Sequence, residues 1–464
     1  MTNQSSQEVD LLIHGGVVIT MDQKRRIYDP GFVAIQGGKI TGTGSPTDCP
    51  YVGKERFDAS DMVVLPGIVN AHDHLDQSVY RSCSDEKQGS RDRLLRMARG
   101  LTRERARTAA TLSLLELVHY GVTTTQENHW THYHLDSTDG ICEAIRQSGM
   151  RAVVSRGMSD VEEYTPKDFV ERAEDVLTDL DRLEREYDSE HIRITSEPTT
   201  ILRCTPGAVA AMRDWALRRG KSWHIHLAQT NDELDDALRT VGMGSVQYAE
   251  RLGVLGPEML AVHCSGLLDT EVELFGKYQV RIAHCPVTQM RGGNKVPPIW
   301  ELEKLGALVA IGTDGSGTNN GQNPWEAMKM AVYMQRVRFE DRYLGTAEQA
   351  LEMMTIKAAE VLGMGDRVGS LEAGKEADIA MFRRDQLHLL PGAMLVNNLV
   401  HSGLNNMADT VLVGGKVVLS RGRSTMVDEK EVAVRVREVQ KAMIKEAGLE
   451  GDIGLTSSWP VITR

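Results

Sequence analysis

The hydrophobic positions of this chain follow two different patterns, and the first occurs near both ends. Residues 10 to 65 alternate short β-branched runs with glycine and proline turns, as in DLLIHGGVVITM and GFVAIQGGKITGTG. The same texture returns at 366 to 422, in RVGSLEAGKEADIAMF and DTVLVGGKVVLSRGR. Such spacing is typical of small antiparallel strands. Each segment carries an apolar strand followed by GGK, at 37 to 39 and at 414 to 416, which favours one β-domain built from both ends over two unrelated ribbons.

Between these segments, short apolar strands alternate with long amphipathic helices. Counting from the strand that ends in NAHDH, the pattern predicts eight strand-plus-helix units. The other seven strands are predicted at GVTTTQEN, RAVVSRGM, HIRITSEPT, SWHIHLAQT, LAVHCSGL, VRIAHCPVT and ALVAIGTDG. This count is the signature of a (β/α)8 barrel, whose active residues lie at the carboxyl ends of the strands. A doubly wound open sheet is the alternative, but no GxGxxG opens a helix after the first strand.

The predicted fold class is therefore α/β, a (β/α)8 TIM barrel with a small β-sandwich domain formed from both chain ends. The patterns predict four successive segments. They are 1–65, the first part of the β-sandwich domain; 66–367, the barrel; 368–425, the second part of the β-sandwich domain; and 426–464, a carboxyl-terminal helix and tail. Within the last segment we expect a charged amphipathic helix at 428 to 448 and then a loop ending SSWPVITR.

Composition narrows the classes of function. A chain of 464 residues that is 41% hydrophobic can bury a large core, and its formal charge of −12 argues against a nucleic-acid partner. No apolar run is long enough to cross a bilayer, and the amino terminus lacks the basic-then-apolar pattern of a signal peptide. The six cysteines form no CxxC pair, which indicates reduced thiols. We expect a cytoplasmic globular protein without a membrane partner.

Side chains that bind metals end five of the eight predicted strands. They are His72 and His74 on strand one, His224 and His226 on strand five, His263 on strand six, His284 on strand seven and Asp314 on strand eight. Residues two apart in a strand point the same way, so both histidines of a pair can reach one point. One histidine of each pair could equally serve packing, and His284 a structural hydrogen bond. Imidazole with carboxylate suits Zn²⁺ or Fe²⁺, and such a metal lowers the pKa of bound water to about 7.

At this point the chain resembles a known family. VVLPGIVNAHDH, WHIHLAQT, HC, HCP and GTDGSGTNN, in this order, resemble the amidohydrolase superfamily. The most similar branch is that of mononuclear deaminases and chlorohydrolases acting on purines, pterins, S-adenosylhomocysteine and s-triazines. GSLEAGKEADIAMF is similar to that group's return to the β-domain, so the resemblance spans nearly residues 10 to 420.

The resemblance implies a mechanism and a role for each motif residue. It implies one divalent metal per chain, Zn²⁺ or Fe²⁺, held by His72, His74, His226 and Asp314. His263 would hold the metal-bound water or the leaving group, and Asp314 would also accept the proton of the water. The implied activity is hydrolysis of a small molecule, in which metal-bound hydroxide displaces an amine, ammonia or a halide from a nitrogen heterocycle.

Two departures from the branch bear on the substrate. The branch usually has HxxE after the third ligand, and that glutamate moves protons to the substrate ring, whereas this chain has Gln229. An amide hydrogen-bonds but cannot act as a general acid. A non-aromatic amide, urea or carbamate would need that acid less, so such a substrate is the alternative. Strand four has SEPTTILRCTP in place of a PHxxY-like stretch. Glu127 or Glu197 could replace the missing acid, and Glu127 could also bind a second metal, although no strand-four lysine is available as a bridge.

The remaining candidates are pocket residues. The segment ENHWTHYH, at 127 to 134, is predicted either to line a pocket for a planar substrate or to form an unrelated surface loop. The predicted substrate-binding residues are Gln77, Glu127, Trp130, Gln289 and Asn320, with Gln229 assigned to the catalytic set. A non-catalytic barrel scaffold is a remote alternative, because all the ligands implied by the resemblance are present. A nucleotide-flipping zinc deaminase is excluded, because HxE…PCxxC is absent. We also predict a homo-oligomer, a dimer or larger.

Overall fold

The amino-terminal segment folds into short strands where its glycine-punctuated apolar runs predict them. The structure is a computed structural model, and it describes residues 7–84 and 90–454. The strands are β1 (Gln7–His14), β2 (Val17–Ile19), β3 (Ile27–Tyr28), β4 (Phe32–Gln36), β5 (Lys39–Gly44), β6 (Tyr51–Asp58) and β7 (Met62–Pro66). Four of them form a sheet in the order β5-β4-β1-β6. A small apolar cluster that includes Val9, Leu12 and Phe32 packs against it.

Each of the eight segments predicted as central strands contains a strand. These are β8 (Ile68–Asp73), β9 (Val122–His129), β10 (Arg151–Met158), β11 (Ile192–Pro198), β12 (Trp223–Leu227), β13 (Met259–His263), β14 (Arg281–His284) and β15 (Leu308–Ile311). They form two parallel sheets, in the orders β11-β10-β9-β8 and β12-β13-β14-β15. A parallel bridge between Thr200 and His226 joins the sheets on one side. On the other side, the Asp314 amide donates to the His72 carbonyl at 3.0 Å.

Helices follow the central strands and cover them. They are α1 (Ser90–Ala98), α2 (Arg103–His119), α3 (Ser137–Ser148), α4 (Ala173–Tyr187), α5 (Pro206–Leu217), α6 (Asn231–Val241), α7 (Ser245–Arg251), α8 (Val272–Tyr278), α9 (Pro286–Arg291), α10 (Ile299–Lys304), α11 (Ser316–Asn319), α12 (Pro324–Phe339), α13 (Ala347–Met353) and α14 (Ile356–Val361). Threonine hydroxyls start several of them. Thr102, Thr205 and Thr230 each accept the amide three residues on, which satisfies a donor that the helix leaves free.

The carboxyl-terminal segment returns to the amino-terminal strands. It contains β16 (Ile379–Arg383), α15 (Leu395–His401), β17 (Thr410–Val413), β18 (Lys416–Ser420), β19 (Arg423–Ser424) and α16 (Glu429–Glu446). One sheet has the order β19-β18-β17-β16-β7-β2-β3, so it draws its strands from both ends of the chain. The two GGK turns meet: a Cβ on Gly38 would lie 2.6 Å from the Gly414 carbonyl oxygen, and both glycines have positive φ. Only glycine allows this approach.

Helix α16 corresponds to the helix predicted at 428 to 448, and the predicted loop ending SSWPVITR lies outside the described residues. All six cysteines are free thiols. Within the described parts of the chain, none of the helices combines the length and apolar character that a membrane span requires.

Candidate active site

The carboxyl ends of β8, β12 and β13 bring histidine rings together at one point. The centroid of His72 lies 4.8 Å from that of His74, 5.1 Å from that of His226 and 5.5 Å from that of His263. The Asp314 carboxylate lies against the same rings, with Oδ1 3.7 Å from His72 Nε2 and 3.5 Å from His74 Nε2. All five side chains are buried. The four ligands implied by the resemblance are therefore neighbours, together with His263.

The two histidines of β8 are oriented through their Nδ1 atoms. His72 Nδ1 lies 3.3 Å from Gln126 Oε1, and His74 Nδ1 is hydrogen-bonded to the carbonyl oxygen of Asn128. Both partners belong to β9, the neighbouring strand. Outer oxygens that hold Nδ1 leave Nε2 as the nitrogen presented to a metal. The order of β8 and β9 in the sheet thus fixes which nitrogen faces the cluster.

On β12 the structure separates the two histidines. His226 joins the cluster, and its Nδ1 lies 3.0 Å from Glu197 Oε1 and 3.2 Å from the Thr199 carbonyl oxygen. His224 lies apart, because its Nδ1 is 2.7 Å from Ser155 Oγ on β10. Burial lowers the pKa of His224 to about 3. The fully buried Glu197 therefore faces the back of a candidate ligand.

The electrostatics favour the metal-binding forms of His72, His263 and Asp314, but not that of His226. Burial lowers the pKa of His72 well below its usual range and that of His263 to about 3, so both imidazoles are neutral at pH 7. Burial alone would raise the pKa of Asp314, but His263 and His74 lower it, so this carboxyl is ionised. For His226, burial opposes protonation, and the contact with Glu197 outweighs it and raises the pKa. Neutral imidazole and ionised carboxylate are the ligating forms.

The residues present fit a divalent ion. His72 Nε2 and His263 Nε2 are buried without a hydrogen-bond partner among the described residues. Ligand atoms of His72, His74 and Asp314 lie within 4.8 Å of one another, as do those of His72, His226 and His263. Buried polar atoms normally have partners, and a cation satisfies these nitrogens. Three imidazoles with a carboxylate suit Zn²⁺ or Fe²⁺.

The side-chain amide of Asn70 links β8 to Thr313, which follows β15. Asn70 Nδ2 donates to Thr313 Oγ1 at 2.7 Å, and Asn70 Oδ1 accepts the Thr313 amide at 2.9 Å. The next residue, Asp314, has φ +61°, and His263 has φ +76°. Residues other than glycine rarely adopt this left-handed region, and such conformations persist where the surroundings impose them. Asn70 was not predicted as a site residue, although a polar side chain in a buried strand next to HxH is a usable signal.

A cavity of about 590 Å³ opens on this cluster, and most of the predicted residues line it. Those in its wall are His74, Gln77, Trp130, His226, Gln229, His263, Gln289 and Asp314. Gln77 Oε1 accepts the Thr318 hydroxyl at 3.2 Å. Gln289 Nε2 donates to the His263 carbonyl at 2.8 Å, and its Oε1 is buried without a partner among the described residues. The Gln229 side chain makes no hydrogen bond within the described parts of the chain.

Two predicted substrate-binding residues, Glu127 and Asn320, do not line this cavity. Glu127 is fully buried, accepts the Leu75 amide and lies beside Asp76 and His129, so it faces away from the substrate space. Asn320 Oδ1 accepts the Ser82 amide at 3.0 Å. The segment at 127 to 134 is also not a mouth loop throughout, because β9 continues to His129 and of this segment only Trp130 lines the cavity.

The comparisons with known proteins agree with this geometry. The profile of the amidohydrolase family matches residues 63–418, more than half of the chain. The chain belongs to the amidohydrolase family. This amidohydrolase is 30% identical to a 5-methylthioadenosine/S-adenosylhomocysteine deaminase of Moorella thermoacetica, over 88% of this chain and 94% of the relative. It is 28% identical to a 5′-deoxyadenosine deaminase of Methanobrevibacter smithii, over 90% of this chain and 94% of that protein.

A solved structure of a variant atrazine chlorohydrolase from Arthrobacter aurescens, with zinc and atraton, superposes on this amidohydrolase with a TM-score of 0.86. The identity is 25%, and the match covers 93% of this chain and 100% of the other. The predicted family resemblance is confirmed.

The sequence did not predict the place of two side chains at this amidohydrolase site, Arg203 and His284. Arg203, on the loop after β11, lines the cavity and was not predicted. Loop residues carry no periodicity, so the fold had to be known before this arginine could be assigned. Burial, together with the neighbouring His263, lowers the pKa of His284 to about 3, but this residue belongs to none of the four groups of possible ligand atoms in the described residues.

Proposed function

We propose that this amidohydrolase is a metal-dependent hydrolase that displaces an amine, ammonia or a halide from a nitrogen heterocycle. The observation that carries the proposal is the buried cluster of His72, His74, His226 and Asp314 at the base of a cavity lined by amides and hydroxyls. Relatives named as deaminases of adenosine derivatives support it, as does a neighbour named as an atrazine chlorohydrolase.

We infer that the two parallel sheets form one closed (β/α)8 barrel over residues 66–367. The links between Thr200 and His226 and between Asp314 and His72 support closure on both sides. We infer further that the described residues of 1–65 and 368–425 form one β-sandwich domain, and that the segment after it contributes the carboxyl-terminal helix α16. The cytoplasmic location and the homo-oligomeric state stay predictions.

His72, His74, His226 and Asp314 would hold one Zn²⁺ or Fe²⁺ per chain. The ion supplies Lewis acidity, which makes water nucleophilic near neutral pH. Glu197, Gln126 and the Asn128 carbonyl keep the three imidazoles oriented through Nδ1.

Asp314 transfers the protons of the reaction, and His263 hydrogen-bonds the reacting groups. Asp314 is ionised, and its Oδ2 lies 4.0 Å from His263 Nε2, so a water between them can lose its proton to the carboxylate. Water attacks the electrophilic ring carbon, and the bond from that carbon to the leaving group then breaks. The proton taken by Asp314 can pass to a departing amine, whereas a halide leaves as the anion and the proton is released to the solvent. His263, neutral at pH 7, hydrogen-bonds the water or the leaving group.

Gln229 distinguishes this site from one that protonates the ring. Its amide lines the cavity and can hydrogen-bond the substrate, but it cannot deliver a proton. Substrates whose leaving group departs without ring protonation are therefore favoured. For the same reason, hydrolysis of a non-aromatic amide, urea or carbamate C–N bond is the second candidate.

The test combines metal analysis with a substrate screen. Purified protein loaded with Zn²⁺ or with Fe²⁺ should hold about one ion per chain by elemental analysis. It should hydrolyse a member of a panel of aminopurines, aminopterins, aminotriazines, chlorotriazines, ureas and amides. His72→Ala, His226→Ala and Asp314→Asn should each abolish turnover while the circular dichroism spectrum stays native, because function at the strand ends is separable from barrel stability.

His191→Ala is the matched control, because this half-buried histidine precedes β11 at the end away from the cluster. Its turnover and metal content should equal those of the wild type. Two ions per chain, or full activity without metal, contradicts the proposed metal site. Wild-type turnover in any one of the three variants removes that residue from it.

A further inference from the structure

Arg203 is a cation in the cavity wall, and no carboxylate of the described residues forms an ion pair with it. It lies on the loop after β11, it is half-buried, and it lines the same cavity as His226 and Gln229. Its backbone is anchored, because its amide donates to Thr200 Oγ1 at 3.2 Å and its carbonyl accepts the Asp160 amide at 3.1 Å. The loop therefore holds this residue in place without using its side chain.

The guanidinium of Arg203 has an aromatic neighbour and, in the described parts of the chain, no ion-pair partner. Its Cζ lies 5.8 Å from the centre of the Trp130 ring, within the range of a cation–π contact. Among the residues that the structure describes, no carboxylate or carbonyl accepts a hydrogen bond from it. The more deeply buried arginines differ: Arg151 is paired with Asp378, and Arg156 with Glu171. Arg203 thus keeps its donors free for a ligand.

The second arginine of the cavity wall does not share this property. Arg291 is exposed, and its guanidinium donates to the carbonyl oxygens of Thr318 and Ser84. Its donors hold the rim of the cavity together. Of the two arginines in the cavity wall, Arg203 is therefore the one whose guanidinium N–H groups can donate to a ligand.

Acidic side chains on the facing wall are mostly engaged elsewhere. The Glu233 carboxylate accepts the amides of Ala228 and Gln229 and the Ser245 hydroxyl. Asp236 accepts a guanidinium hydrogen bond from Arg239. Asp232 is exposed at the start of α6, where water screens its charge. Within the part of the chain that the structure describes, none of these carboxylates pairs with Arg203.

We propose that the substrate is a planar heterocycle that carries a carboxylate, which Arg203 binds through its fork. The ring then lies beside Trp130, within reach of the amides of Gln229 and Gln289. A guanidinium matches a carboxylate in a bidentate geometry that neutral groups do not reproduce. The proposal rests on the proposed function and narrows its substrate class to acids. It also explains an amide at position 229, because a second carboxylate there would repel an acidic substrate.

The test compares matched ligands that differ in one carboxylate. The probes are pterin-6-carboxylate with 6-hydroxymethylpterin, and orotate with uracil. Binding to the zinc-loaded protein is measured by isothermal titration calorimetry at fixed ionic strength. In at least one pair the acid should bind about tenfold or more tightly, because a charge-assisted hydrogen bond has that magnitude.

Three variants test whether the preference for the acidic ligand depends on Arg203. Arg203→Gln should abolish it, and Arg203→Lys should retain part of it. Arg218→Gln should leave it unchanged, because Arg218 is exposed at the end of α5 and does not line the cavity. These variants also exclude capture of the carboxylate by the zinc ion alone, since that preference would survive in Arg203→Gln.

Each outcome bears on the proposal. Equal binding within every pair, no binding of any acid, or a preference that persists in Arg203→Gln overturns it. The readout is binding, so it is separable from turnover. If uncharged heterocycles are hydrolysed without a preference, the proposed function stands and the role of Arg203 falls. If acids bind through Arg203 but nothing is hydrolysed, the proposed function falls instead.

Discussion

The backbone amide of Gln229 is hydrogen-bonded to the carboxylate of Glu233, and both residues line the cavity. Its amide donates to Glu233 Oε2 at 2.9 Å, and burial raises the pKa of Glu233 despite the hydrogen bonds that this carboxyl accepts. A second acidic side chain at position 229 would therefore enter a site where negative charge is already costly. The glutamine side chain is neutral and has the same size as a glutamate side chain.

Gln229→Glu should lower kcat/KM on the native substrate by about tenfold, or about 1.4 kcal/mol in transition-state stabilisation. The physical reason is repulsion of the departing group and of any acidic substrate by the added charge. Steady-state kinetics on the best substrate from the screen provides the measurement. Gln229→Met, which removes the amide without adding charge, separates lost hydrogen bonding from repulsion. A clear gain in turnover for Gln229→Glu would mean that the native reaction does use a general acid.

At the level of single residues, the sequence predicts side chains on strands better than side chains on loops. His72, His74 and Asp314 were identifiable because strand periodicity and motif spacing fix where they lie. Arg203 and Asn320 belong to a loop and a helix cap, whose conformations depend on contacts far along the chain. The choice of His226 over His224 rested on family resemblance, and the physical reason is the Ser155 contact that draws His224 away.

Among the elements, α3 and α4 are joined by an ionic contact between the buried Asp139 and the partly exposed Arg182. Asp139 on α3 accepts two guanidinium hydrogen bonds from Arg182 on α4, at 2.7 and 2.8 Å, and the Tyr187 hydroxyl at 3.0 Å. Burial would raise the pKa of Asp139, but Arg182 and Tyr187 outweigh it and lower the pKa. The ionised carboxyl therefore stabilises the packing of these two helices.

Asp139→Asn should reduce the free energy of unfolding by roughly 1.5–3 kcal/mol at pH 7, the range for hydrogen bonds to charged groups. Because the folded pKa is lowered, this stabilisation is complete above the unfolded pKa near about 3.9 and is lost as the pH falls through the folded value. Urea unfolding at pH 7, 5, 4 and 3 should show the difference from wild type shrinking below about pH 4. Asp235→Asn, on the exposed face of α6, should change nothing. A difference that is constant over this range would exclude the ionic contact as its source.

The strands were predictable as elements because their apolar runs recur between helices at regular intervals. The extent of β9 was harder, because TTTQENH is polar and yet every residue of β9 is buried. Its side chains are used inside the protein, as Gln126 shows: its Oε1 lies 3.3 Å from His72 Nδ1 and its Nε2 donates to Ser155 Oγ at 3.0 Å. A polar run that serves other buried polar groups cannot be told from a loop by hydropathy alone.

For the whole molecule, one buried ion pair connects the central strands to the carboxyl-terminal return. Arg151 at the start of β10 donates to Asp378 at 2.9 and 3.2 Å, and both side chains are almost fully buried. Asp378 also accepts the amide of Gly414, in the second GGK turn, at 2.7 Å. The position of that turn therefore depends on a residue of the central sheet.

Arg151→Met should destabilise the protein by about 3–5 kcal/mol, because it leaves the Asp378 charge buried without its partner. Arg151→Met with Asp378→Asn should recover part of that loss, because asparagine removes the buried charge while its side-chain oxygen can still accept the Gly414 amide. Thermal unfolding of both variants and of Arg185→Met, an exposed arginine on α4, gives the comparison. If the double variant is as unstable as the single one, the isolated charge is not the cause.

The sheet shared by both chain ends imposes an order of events during biosynthesis. Strand β7 is flanked in the finished sheet by β2 and by β16, and β16 is encoded roughly 300 residues later. At about 5–20 residues per second, β7 waits roughly 15–60 s on the ribosome before that partner exists. Until then its edge is a template for any other extended segment. The central strands and helices can assemble during this interval, and β16 then pairs with β7, which was translated long before it.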